Sequence, residues 1–191
     1  MKKRVVSVLV VVSMCSLLLV ALKEKEPTEG LNTETVVVLK EPIKEPAEPV
    51  EEIQFYDVPL DADIQEAIIE QCGDVIDATV VIAIIEKESQ YNSQEIGDGG
   101  NSKGLMQIQE RWHRERMNDL ECDDLLDPIQ NVTVGIDYLK ELATESDSIE
   151  WVLMAYNGGR EYANTSTETS EYAKYVLQRA GKLKEKEDEG Y

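Results

Sequence analysis

The stretch Val80–Asn92, VVIAIIEKESQYN, is apolar until it ends in charge. On a helical wheel of about 100° per residue with Val81 at zero, Ile84 falls near 300°, Ile85 near 40° and Glu88 near 340°. On the same wheel, Glu86 at about 140° and Lys87 at about 240° lie on the flanks or outside. Glu88 therefore sits close to the centre of the apolar stripe. A carboxyl group facing a core has an unfavourable ionised form, so its pKa rises. A glutamic acid that keeps its proton near neutral pH is suited to general acid catalysis, including glycoside cleavage. The competing reading is that the helix ends here and Glu88 simply reaches solvent.

Other chemistries have less support. The chain of 191 residues carries a formal net charge of −20. That balance opposes nucleic acid as a partner, because phosphate contacts need Lys and Arg. It also opposes docking on anionic lipid through a basic face. The cysteines are Cys15, Cys72 and Cys122, and the one histidine is His113. There is no CxxC pair, so a zinc site has too few clustered ligands, and neither a metal nor another cofactor is expected. A Ser-His-Asp or Cys-His device would have to use His113, which has no partner motif.

The elements that must carry Glu88 read as helices from about Phe55 onward. Asp61 is a cap and Gly73 a stop for LDADIQEAIIEQCG. Asp77 caps the helix that contains Glu88. Asp127 caps DPIQNVTVGIDYLKELA, with Pro128 in its first turn. SIEWVLMAYNGG is a short apolar helix ended by Gly158 and Gly159. SEYAKYVLQRAGKL is the last helix, and no alternating strand pattern appears. The expected fold is all-α, a compact domain of five to seven short helices.

Downstream of Glu88 come GDGGNSKGLMQIQ and AYNGG. Together, Glu88-Ser89, Gly104-Leu105-Met106-Gln107-Ile108, Ala155-Tyr156-Asn157-Gly158-Gly159 and Tyr175-Val176 resemble the soluble lytic transglycosylase (SLT) domain, a lysozyme-like all-α family acting on peptidoglycan. The resemblance covers roughly residues 60–180. It implies that Glu88 is the catalytic acid/base. Glu88 would protonate the oxygen linking N-acetylmuramic acid to N-acetylglucosamine, then take the proton of the muramic acid C6 hydroxyl as that oxygen closes on C1. The product is a 1,6-anhydro end, no water is consumed, and one carboxyl group suffices. Glycosidases that use water normally need two.

The same resemblance implies glycan contacts for Ser89, Gly104, Met106, Gln107, Tyr156, Asn157 and Tyr175. Each has a plainer alternative. Ser89 is otherwise a helix-end hydroxyl, Met106 a core filler, and Tyr156-Asn157 part of an Asn-Gly turn. Gly104 permits close backbone approach to the cleft. Tyr175 either donates its hydroxyl to Glu88 or packs with a wet tip. Trp151 reads as core, Trp112 as a residue flanking the cleft, and His113 as surface. The run RWHRERMND reads as a solvated face. A Cys72–Cys122 disulfide is open, since spacing cannot establish proximity.

Asp98 supplies the rival reading. Goose-type lysozymes share this fold and carry an aspartate in a similar loop, linked to positioning water for hydrolysis. Their second aspartate matches Gln109 here. A muramidase hydrolysing the same bond is therefore the first alternative, and a non-catalytic glycan-binding protein the second.

At the N-terminus, Lys2, Lys3 and Arg4 precede an almost wholly apolar Val5–Leu22, close to the ~20 residues a membrane span needs. No clear small-residue cleavage site follows, Ala21 being the best candidate, and Met14 rather than a small residue precedes Cys15. Residues 1–22 are expected to be a membrane anchor or uncleaved signal with the domain outside, the alternative being secretion after cleavage. Residues 23–55, rich in Pro, Glu and Lys, are expected to form a disordered stalk. Residues 56–184 would be the catalytic domain and 185–191 a charged tail. The expected partners are the membrane and peptidoglycan glycan strands.

Overall fold

The computed structural model describes residues 55–188. The expected anchor at 1–22, the stalk up to residue 54 and the last residues of the tail lie outside them. Among the described residues no helix is long and apolar enough to cross a membrane.

The described residues form seven helices, α1 (Ala62–Cys72), α2 (Ala78–Ser89), α3 (Glu110–Asp119), α4 (Pro128–Glu145), α5 (Ile149–Gly158), α6 (Arg160–Thr165) and α7 (Glu171–Asp188). Their boundaries follow local chemistry. Asp77 starts α2 by accepting the Thr79 N–H at 2.9 Å. Asp127 starts α4 by accepting the Gln130 N–H at 2.8 Å, with Pro128 at the first helical position. Ser148 caps α5 through the Trp151 N–H. Gly73 and Gly159 end α1 and α5 in conformations with positive φ.

Helix α2 is the axis of the domain. Val80 through Ile85 are all buried, and Val81, Ile82, Ala83, Ile84 and Ile85 are fully enclosed. A helix that is apolar all round has to be covered all round. It packs most extensively on α7, whose Ala173, Val176 and Ala180 are buried, and also meets α1. Fully burying each Ile or Leu of this core contributes roughly 1.5–3 kcal/mol.

The domain is not purely helical. Between α2 and α3 lies a three-stranded antiparallel sheet, β1 (Ile96–Gly97), β2 (Ser102–Lys103) and β3 (Ile108–Gln109). Ile96 pairs with Lys103, and Ser102 with Gln109. Strands of two residues are too short to show an alternating pattern, which is why the sequence read as helices alone. Cys72 and Cys122 are both buried and both free, so there is no bridge between them. Burial pushes the Cys72 thiol up to about 12, leaving it inert.

The loop after β2 is fastened to α4 by Asn131, which is fully buried. Its Oδ1 accepts the Met106 N–H at 2.8 Å, and its Nδ2 donates to the carbonyls of Lys103 at 2.9 Å and Leu125 at 2.8 Å. Gly104 has φ +74, and a Cβ there would lie 2.3 Å from both Asn131 Nδ2 and the Leu125 oxygen. Gly73, at φ +54, has open space around the same position. Gly73→Ala is therefore expected to cost about 1 kcal/mol, the backbone term alone. Gly104→Ala should cost about 2–4 kcal/mol, because it also displaces a buried hydrogen-bond hub. Urea unfolding of the two variants against wild type measures the difference.

Candidate active site

Glu88 lies on the last turn of α2, where the helix stops because Gln90 and Tyr91 adopt positive φ of 51° and 67°. Its carboxyl group is half-buried and opens on a cleft of about 1220 Å³. From behind, the Tyr172 hydroxyl of α7 donates to Glu88 Oε1 at 2.7 Å. Burial raises the Glu88 pKa above the ordinary carboxyl range, and the Tyr172 hydrogen bond and nearby Lys87 offset that rise only in part. Burial also pushes the Tyr172 and Tyr156 phenols well up, so both stay neutral donors.

Tyr172, not Tyr175, is the partner of Glu88. Tyr175 lies one turn further along α7 and donates to Glu86 Oε1 at 3.0 Å. Glu86 also accepts from the Tyr91 hydroxyl at 2.5 Å and from Arg179 Nε at 2.7 Å. Burial pushes the Glu86 carboxyl up, but these donors outweigh it and hold it below the ordinary range. Two carboxylates two residues apart thus have opposite environments. Glu86 is a charged tie between α2 and α7, and Glu88 is an acid facing the cleft.

The Tyr156 hydroxyl at the end of α5 donates to the Met106 carbonyl at 2.9 Å. Met106 is buried, with its sulfur lying where a side chain on Gly135 of α4 would be, 2.4 Å from that glycine's ideal Cβ. Gln107, at φ +50, donates through Nε2 to the carbonyls of Glu95 at 3.2 Å and Gly104 at 3.0 Å. Asn157 is exposed at the cleft edge. Asp98, at φ +48, accepts from Gln109 Nε2 at 3.0 Å, and the same amide nitrogen donates to Ser102 Oγ at 3.1 Å.

Of the residues singled out in the sequence, Glu88, Asp98, Met106, Gln107, Tyr156 and Asn157 line one cleft. Ser89, Gly104 and Tyr175 do not. Ser89 is buried and its Oγ donates to the Ile85 carbonyl at 3.1 Å, the helix-end role. Gly104 makes its close approach to Asn131 and Leu125, not to the cleft.

The far wall is built by α3, α4 and α6. Arg116 Nε donates to Asp137 at 2.7 Å, and Glu141 bridges Arg116 to Arg160. Arg160 in turn holds Glu145. Both guanidinium groups lie over the Tyr138 ring, at 4.9 and 5.7 Å. His113 is part of this wall rather than free surface. It meets Tyr138 edge-on at 4.7 Å, and burial together with Arg116 lowers its pKa to about 4. The run containing it is only partly solvated, since the Arg116 side chain is 12% exposed. Trp151 is half-buried against the core and donates from Nε1 to Asn164 at 2.9 Å.

The sequence profile of the transglycosylase SLT domain family matches residues 66–177, more than half of the chain. The chain belongs to that family. The fold of this SLT domain is also found in the crystal structure of an inactive mutant of the lytic transglycosylase Slt from Pseudomonas aeruginosa. The TM-score is 0.56 at 17% sequence identity, over 65% of this chain and 24% of that one. The chain thus spans about a quarter of that protein's length.

Three residues of the SLT domain site were not picked out by sequence reasoning. Asn131 gave no signal beyond being an amide on the buried face of α4. Glu86 read only as a flank position. Tyr172 carries no motif of its own, and its spacing of about one turn before Tyr175 is the available clue.

The raised Glu88 pKa has a consequence for stability. Below the unfolded value, about 4.3, folded and unfolded states are both protonated at this position. As pH rises from there through the folded value, the unfolded state loses its proton first, so stability falls. Glu88→Gln removes that cost. It should be more heat-stable than wild type at pH 7, with the gap closing below about pH 4. Calorimetry across that range checks the sign.

Proposed function

We propose that this SLT domain is a peptidoglycan lytic transglycosylase. It cleaves the β-1,4 bond between N-acetylmuramic acid and N-acetylglucosamine, with Glu88 as general acid and then base. The observation that carries the reading is the half-buried Glu88 carboxyl, open to the cleft on one side and hydrogen-bonded to Tyr172 on the other. Glu88 gives its proton to the glycosidic oxygen, and the bond to C1 breaks. The muramic acid C6 oxygen bonds to C1 and its proton passes to Glu88, restoring the acid. Atoms balance without water, and the new end is a 1,6-anhydro sugar.

Within this reading Gln107, Tyr156 and Asn157 contact the glycan, while Met106, whose side chain is buried against Gly135, joins Ser89, Gly104 and Tyr175 in supporting the elements that do. In the Pseudomonas Slt protein, a glutamate-to-glutamine change gives an inactive mutant. The same replacement tests Glu88 here. On the sequence of residues 1–22, we place the domain outside the cytoplasmic membrane, tethered through the segment 23–55.

A hydrolytic outcome has one observation in its favour, since Asp98 lines the same cleft. One of its carboxylate oxygens accepts from Gln109, and the water-free route is preferred because the position of the second lysozyme aspartate is held by Gln109. Mass spectrometry of digested peptidoglycan separates the two. Anhydro-muramyl products are expected, and reducing ends alone would establish the muramidase instead. Glu88→Gln should lower the rate by about 10²–10⁴-fold. Tyr172→Phe removes a hydrogen bond that favours the charged form, so the Glu88 pKa rises and the high-pH limb of activity moves to higher pH. Tyr175→Phe should leave that limb in place.

A further inference from the structure

Trp112 is the most exposed large apolar side chain among the described residues, at 72%. The others in that class are Val75, Ile96, Tyr162 and Tyr175, and none of these lines the cleft. Trp112 does, on the first turn of α3. A single exposed aromatic is ordinary on a protein surface; what sets Trp112 apart is its place in the cleft that contains Glu88.

The ring is not loose. Arg111 lies over one face, 4.9 Å from the ring centroid. The guanidinium is itself fixed, since Arg111 Nε and NH2 both donate to Gln109 Oε1, at 3.1 and 2.8 Å. Gln109 in turn donates to Asp98 and Ser102. The β3 strand thus holds the amide, the amide holds the guanidinium, and the guanidinium holds one indole face. The residue is otherwise largely open to solvent and lines the cleft that contains Glu88.

We propose that Trp112 is a glycan platform. A sugar ring of the bound strand stacks its C–H face on the indole face opposite Arg111, in the cleft that continues to Glu88. The inference rests on the proposed function for its choice of ligand. The chemistry of the rim favours a saccharide over an apolar partner. A single aromatic flanked by Asp98, Gln109 and Arg111 offers one apolar surface with hydrogen-bonding groups at its edge, which matches a sugar's apolar face and its equatorial hydroxyls. A lipid or hydrophobic peptide would need a continuous apolar patch, and the neighbouring cleft residues are charged or amide-bearing.

The test uses the full chain with Glu88→Gln, so that bound glycan stays intact. The probes are peptide-free glycan strands, glycan fragments carrying stem peptide and N-acetylglucosamine oligomers, with binding followed by calorimetry. Trp112→Ala should weaken binding about tenfold, about 1.4 kcal/mol, and Trp112→Tyr should restore most of it. In a Trp151→Phe variant the remaining tryptophan emission should shift to the blue and become shielded from iodide as glycan binds. With Glu88 intact, Trp112→Ala should raise KM while kcat changes little. Binding by Trp112→Ala as tight as the parent's overturns the platform, and so does a response confined to fragments carrying stem peptide. If glycan binds through Trp112 but wild type releases no product, the platform stands and the proposed function fails.

Discussion

A carboxyl group at the end of a buried helix must keep its proton and still face an open cleft. The hydrogen bond from Tyr172 to Glu88 meets both demands. It satisfies one carboxyl oxygen from the core side, so the group need not seek water there, and it fixes the direction in which the other oxygen points. A buried polar group without such a partner would cost about 1–3 kcal/mol. Because the donor is a neutral phenol and not a cation, the bond orients the acid without stabilising its charge enough to cancel the effect of burial.

The rest of the domain maintains that contact. Helices α2 and α7 share the most extensive interface in the fold, and Glu86 with Arg179, Tyr175 and Tyr91 ties their polar edge. The loop that carries Met106 and Gln107 is set by a second device. Asn131 on α4 holds the Met106 backbone from beneath, and Tyr156 holds its carbonyl from α5. The loop between α2 and α3 is therefore positioned from both of these helices, which keeps Gln107 and Asp98 at fixed places relative to Glu88. Placement of this kind matters because misplacing a reacting group by about 1 Å can cost 10²-fold in rate.

Much of this was legible in the sequence. The wheel position of Glu88 predicted its half-buried place, and the caps at Asp77, Asp127 and Gly159 predicted where helices start and stop. What sequence reasoning missed has physical causes. The three short strands have no periodicity to detect. His113 and Arg116 sit in a highly charged run, and only tertiary contact with Tyr138 and Glu141 shows that they are enclosed. The Tyr172–Glu88 pairing depends on the rotation of α7 about its own axis. A shift of one turn along that helix moves the hydroxyl to a different carboxylate, and motif reading cannot resolve that.

The central claim is that Glu88 holds its proton above the range of an ordinary glutamate. Carbon-detected NMR titration of the side-chain carboxyls, with the Glu88 signal assigned by its loss in Glu88→Gln, measures this directly. The account predicts a midpoint clearly above the usual value of about 4.3. A midpoint at or below that value would show that burial does not govern this carboxyl, and would contradict the account.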